Sequence, residues 1–123
     1  MPTRITIIQA HDFIRATFDG TLDFEESKKA VMDIASASAS LPDHELLVDT
    51  RNAEVELSVT DLWYLAVEFS NVQKAFSGRT ALLCPSGDFD RAAFLALCSQ
   101  NRGLQVMAFA SFEEAIDWLT AST

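Results

Sequence analysis

Leu46-Leu47-Val48-Asp49-Thr50-Arg51, followed at Ser58-Val59-Thr60-Asp61 by a helix start, decides the fold of this chain. An apolar run that ends abruptly in charge reads as a buried strand. A capped helix beyond a short polar loop makes the pair a strand-to-helix unit. In open α/β sheets, ligands and regulatory groups collect at that junction, outside the carboxyl end of the strand. The stretch locates a candidate site without naming a reaction.

The neighbouring segments follow the same logic. Residues 5–9 and 13–19 read as two strands joined by the turn Ala10-His11-Asp12, with Ile14, Ala16 and Phe18 alternating against Arg15 and Thr17. A short connection of this kind predicts an antiparallel pair with one face at least partly exposed. Gly20 ends the second strand. Asp23, with Glu26 three residues on, predicts a capped helix whose buried stripe is Phe24, Val31, Ile34 and Ala35, and which stops at Leu41-Pro42-Asp43. Residues 45–51 form the third strand and 52–57 a loop. Ser58 or Thr60 caps a long helix that runs to about Phe76 and is closed by Gly78. Residues 79–84 form a strand stopped by Pro85-Ser86-Gly87. Asp88 begins a helix that ends near Arg102-Gly103, and 104–109 form the last strand. Ser111-Phe112-Glu113-Glu114 is a capping box for a final helix with the stripe Phe112, Ala115, Ile116 and Leu119. The order ββαβαβαβα predicts one α/β domain over 1–123. Its sheet is mixed but mostly parallel, with the first strand antiparallel.

Composition narrows the function. The chain has 123 residues, 49% of them hydrophobic, which supplies a core without metals or disulfides. Nine Lys and Arg against 18 Asp and Glu give a formal charge of −9, which argues against nucleic acid and anionic membrane surfaces. A basic protein or a neutral small ligand suits that charge better. The start Met1-Pro2-Thr3-Arg4 enters a strand-like run directly, so neither a signal peptide nor a membrane anchor is expected, and the cytoplasm of a bacterial cell is the expected location. Cys84 and Cys98 lie in apolar runs without ligand spacing, and His11 and His44 share no metal spacing and read as exposed. No metal or cofactor is expected. No Gly-rich phosphate loop, GxSxG elbow or HExxH is present, so no hydrolase or transferase activity is expected.

Several pieces of the chain resemble the SpoIIAA-like family, a branch of the STAS-type fold. They are Val48-Asp49-Thr50-Arg51 with Ser58-Val59-Thr60-Asp61-Leu62, Ala81-Leu82-Leu83-Cys84-Pro85-Ser86, and Phe112-Glu113-Glu114-Ala115-Ile116-Asp117-Trp118-Leu119. The resemblance implies a mixed sheet without a cofactor. It also implies anti-sigma-factor antagonists switched by phosphorylation of a Ser or Thr in a motif resembling Asp-Ser-Ser-Gly-Leu-Gly. Here that region reads Asp49-Thr50-Arg51, the Ser-Gly step is missing, and the next hydroxyl at a helix start is Ser58. Other relatives of the fold bind apolar ligands such as lipids.

Each candidate residue carries a functional and a structural reading. Ser58 and Thr60 are either phosphorylatable hydroxyls at a helix N-terminus or caps, and caps are the commoner role. Asp49 and Arg51, two apart on a strand, share a face and either anchor a ligand or partner or form an ion pair that ties down the next loop. Leu62, Leu65, Ala66, Phe69, Val72 and Phe76 form the stripe of the second helix, and Trp63, Tyr64 and Val67 extend its apolar surface onto another face. Residues 92–98 are seven apolar residues in a row, so this helix too is expected to be buried on two sides. The second contact is another chain, an apolar pocket, or neighbouring elements of the same chain. Ser86-Gly87 before a helix offers backbone amides to an anion. Cys84 reads as a small buried hydrophobe, with a lowered pKa at a helix start as the alternative. Two functions follow. One is a non-enzymatic regulatory or interaction module that pairs with itself, as a homodimer, or with another protein. The other is a carrier or sensor of an apolar, lipid-like ligand held between the long helices and the sheet.

Overall fold

The computed structural model describes residues 4–9, 13–38, 45–72 and 78–121, with the backbone alone for 4–9 and 38. The Ala10-His11-Asp12 turn, the Leu41-Pro42-Asp43 stop, His44 and the expected last turn of the second helix as far as Phe76 lie outside the described residues. Among the described residues five strands, β1 (Arg4–Gln9), β2 (Phe13–Leu22), β3 (Glu45–Val55), β4 (Arg79–Leu83) and β5 (Gln105–Phe109), form one sheet in sequence order. β1 runs antiparallel to β2, and the other pairs are parallel. Among the described residues the helices are α1 (Phe24–Ser38), α2 (Val59–Asn71), α3 (Phe89–Gln100) and α4 (Phe112–Thr120), with a 3-10 turn at Ser86–Asp88.

From β2 onward each crossover steps to the next strand in the same direction. Crossovers of one hand therefore place all three connecting helices on one face. Ile14, Ala16 and Phe18 of β2, Leu46 and Val48 of β3, Leu82 and Val106 form the sheet side of that core. Val31 and Ile34 of α1, Leu62, Leu65, Ala66 and Phe69 of α2, and Leu95 and Ala96 of α3 close it. Among the described residues the opposite face is covered by α4 alone, over a smaller core of Leu47, Ala81, Leu83, Ala115 and Leu119. Because strand side chains alternate, even residues of β3 serve the three-helix side and odd residues the α4 side.

That alternation breaks once, and the break moves two expected boundaries. Thr17 pairs with Asp49, but Asp19 pairs with Asn52, so β3 carries one extra residue against β2 just after Asp49. A bulge of this kind shifts the phase. Val48 and Thr50 face the helices before it, and Ala53 and Val55 face them after it. Without the period of two, 52–57 reads as loop. In the structure β3 continues to Val55 and β2 continues past Gly20 to Leu22, paired along Gly20 to Ala53 and Leu22 to Val55. Gly20 therefore does not end β2; it sits inside the ladder at φ 90°.

The helix ends follow local chemistry. The Asp23 carboxylate accepts from Glu26 N at 2.9 Å, and Ser111 Oγ accepts from Glu114 N at 3.3 Å. The end of α3 turns at Gly103, with φ +89°, and Leu104 N donates back to Ser99 O. Arg79 Nη1 donates to Trp118 O and Ala121 O at 2.8 Å each, which places a cation on the carboxyl end of α4. Asp88 belongs to the 3-10 turn, and α3 starts one residue later. α3 is not buried on two sides: Leu95, Ala96 and Ser99 are buried, Cys98 is half-buried and Leu97 is exposed. Phe112, expected in the stripe of α4, is also exposed.

Candidate functional site

The strand end at Asp49 is a closed ion cluster. Asp49 is 3% exposed on the α4 side of the sheet. Its Oδ1 accepts from Arg51 N at 3.1 Å and Arg51 Nε at 3.0 Å. Its Oδ2 accepts from Arg51 Nη2 at 2.8 Å and from Arg15 Nη2 at 3.0 Å. Burial pushes the Asp49 carboxyl up. The Arg51 guanidinium and backbone N–H, with the Arg15 guanidinium, outweigh it, and the net direction is down. The Arg51 guanidinium, hydrogen-bonded to Asp49, is shifted up. Both guanidinium carbons lie 5.5 Å from the centre of the Phe112 ring. The sequence reading paired Asp49 with Arg51 but placed Arg15 on an exposed strand face. The 34-residue separation of Arg15 and Asp49 is closed only by the parallel register of β2 on β3.

Ser58 belongs to a different part of the molecule. It is the N-cap of α2 on the other face of the sheet, in a complete capping box. Asp61 N donates to Ser58 Oγ at 3.1 Å, and Ser58 N donates to Asp61 Oδ2 at 3.0 Å. Thr60 is exposed within the first turn of α2 and is not the cap. Asp49 and Arg51 thus face α4, while Ser58 and Thr60 begin a helix of the opposite layer. Ser86 is exposed in the 3-10 turn. Two of the amides that follow it are committed, Asp88 N to Pro85 O and Phe89 N to Ser86 O.

Two apolar features remain on the three-helix side. The first is on the outside of α2, where Trp63 is 46% and Tyr64 53% exposed. Their rings meet edge to face at 5.1 Å, and the Arg102 guanidinium lies 5.3 Å from the Trp63 ring centre. Val59, one turn earlier, is exposed, and Val67, one turn later, is half-buried.

The second feature is a cavity of about 90 Å³ between α1, α2, α3 and the sheet. Phe18, Val31, Leu62, Phe69, Leu82 and Leu95 are among its walls. The wall residues that reach solvent are Thr50, Val55, Asp88, Arg91 and Ala92, so the cavity opens at the carboxyl ends of β3 and β4 and the start of α3. Cys84 lies in this wall, buried, with Sγ 3.5 Å from Phe109 O. Burial, then the nearby Asp88 charge, pushes its thiol up to about 11, which overturns the lowered-pKa alternative. Among the described residues no cluster of three His, Cys, Asp or Glu side chains is placed to hold a metal, and no helix is long and apolar enough to cross a membrane.

No family model matches the chain, and no curated protein matches it. Solved structures do. An uncharacterised protein of the DUF3478 family with a SpoIIAA-like fold, from Shewanella loihica PV-4, is 21% identical with a TM-score of 0.62, over 95% of this chain and 93% of that one. An anti-sigma factor antagonist from Mycobacterium paratuberculosis is 14% identical with a TM-score of 0.64, over 96% and 94%. The anti-sigma factor antagonist SpoIIAA in its unphosphorylated form is 18% identical with a TM-score of 0.56, over 97% and 100%. The likeness spans almost the whole of each chain, and the protein has a SpoIIAA-like α/β fold.

Proposed function

We propose that this chain is a non-enzymatic interaction module that pairs with itself, as a homodimer, through the outer face of α2. The exposed Trp63–Tyr64 pair carries the reading. Scattered exposed apolar residues are ordinary on protein surfaces, but two adjacent aromatics in contact, with Val59 one turn away, are not scattered. Aromatic side chains bury roughly 150–250 Å² each, so docking removes about 100 Å² from water at each ring. At about 25 cal/mol per Å² that is roughly 2–3 kcal/mol per ring, the size of an interface hot spot. A two-fold contact uses the same patch twice. Two fold relatives are, by name, anti-sigma factor antagonists, which favours a protein as the partner. The missing Ser-Gly step and the capping role of Ser58 favour docking without a phosphorylation switch at this helix start.

The test uses the two tryptophans, Trp63 and Trp118. In a Trp118→Phe variant, emission reports Trp63 alone. It is expected to shift to shorter wavelength as protein concentration rises. Emission unchanged over the whole range sinks the proposal.

A second reading rests on a separate observation, the apolar cavity. Its apolar walls and its opening at the carboxyl ends of two strands suit a small carrier or sensor of an apolar ligand. Native mass spectrometry of protein purified from cells is expected to show a co-purified small molecule, and its absence counts against this reading.

A further inference from the structure

Ser27 is the buried polar residue of the cavity wall. It is 4% exposed, lies one turn into α1 and lines the space, and its Oγ has no hydrogen-bond partner. The other hydroxyl and the thiol of the wall are occupied: Thr50 Oγ1 donates to Leu83 O at 3.2 Å, and Cys84 Sγ lies against Phe109 O. Leaving a buried hydroxyl unpaired is costly, and alanine would fill the same place in α1 without that cost.

From these observations, and resting on the cavity reading above, we infer that Ser27 recognises the polar end of a small neutral, mostly apolar ligand with one hydrogen-bonding oxygen, such as a short-chain alcohol. Ser27 stands at the end of α1 nearer the mouth, while Ile34, about 10 Å further along the helix at 1.5 Å per residue, lines the far wall with Phe69. The polar end therefore lies towards the opening and the apolar end towards Ile34 and Phe69. One hydroxyl cannot offset the desolvation of a carboxylate, so the head group is uncharged. Arg91, at the mouth, already donates to Val55 O.

The test compares 1-butanol with sodium butyrate at pH 8 by titration calorimetry, on the wild type and on Ser27→Ala. The wild type is expected to bind 1-butanol more tightly than butyrate. Ser27→Ala is expected to weaken butanol binding by roughly five- to tenfold, the worth of one neutral hydrogen bond. The ligand-free variant is expected to melt no lower than the wild type, because an unpaired hydroxyl has been removed. Equal butanol affinity in the two proteins, tighter binding of butyrate, or a lower melting temperature of the free variant overturns the role of Ser27 while the cavity reading stands. No binding of either probe to the wild type overturns the cavity reading and this inference together.

Discussion

Replacing Asp49 with asparagine tests the architecture of the strand end in quantitative terms. The carboxylate accepts four hydrogen bonds, three from Arg51 and one from Arg15. An amide of the same size offers one acceptor oxygen and no charge. Hydrogen bonds to charged groups contribute about 1.5–3 kcal/mol each, and removing one member of a buried pair costs about 3–5 kcal/mol. The arginine side chains are 35% and 41% exposed and regain water when released. The expected cost is therefore about 2–3 kcal/mol, below the fully buried range. At roughly 3–5 °C per kcal/mol for a domain of this size, Tm falls by about 10 °C. The sign with pH follows from the lowered folded-state pKa. The carboxylate contributes fully above its unfolded value near 4, and the contribution is lost as pH falls through the lower folded value. Urea unfolding of both proteins from pH 7 to pH 3 is expected to show a constant gap down to about pH 5 that narrows below 4. A variant as stable as the wild type at pH 7, or a gap that persists undiminished at pH 3, refutes the reasoning.

Other expectations follow from the same structure. Ser58→Ala removes the cap of α2 and is expected to cost about 1 kcal/mol in urea unfolding, while Ser58→Asp, itself a good cap, stays within about 0.5 kcal/mol and leaves self-association unchanged. Leu47→Ala, in the small core under α4, is expected to cost about 3 kcal/mol by the same assay. Cys84 in the native protein at pH 8 is expected to react with iodoacetamide about a hundredfold more slowly than a free thiol, because its pKa is pushed up to about 11. With a charge of −9, self-association through an apolar face is expected to strengthen with added salt, whereas capture of a basic partner would weaken, and sedimentation across a salt series separates the two.

The alternation of strands and helices was legible because each element announces its own period and cap. Asp23, Ser58 and Ser111 all cap where their spacing says they do. The bulge after Asp49 was not legible, because one inserted residue turns a two-residue period into an apparent loop. Arg15 was missed for a related reason. Alternation alone puts it on an exposed face, and only strand register reveals that it stands beside Asp49. Phe112 obeyed the helical stripe yet ended against two guanidinium groups, since a stripe describes the helix and not what lies beneath its first turn. Trp63 and Tyr64 were legible as off-stripe residues, and the structure leaves both exposed. Ser27 gave no signal, because a serine in the first turns of an amphipathic helix usually faces water.

Sedimentation velocity of the wild type beside a Trp63→Ser, Tyr64→Ser double variant measures self-association through α2 most directly. A wild type that approaches twice the 13.6 kDa chain mass as concentration rises, with the double variant folded and monomeric throughout, is the predicted result. A wild type that stays monomeric, or a double variant that associates equally well, contradicts it.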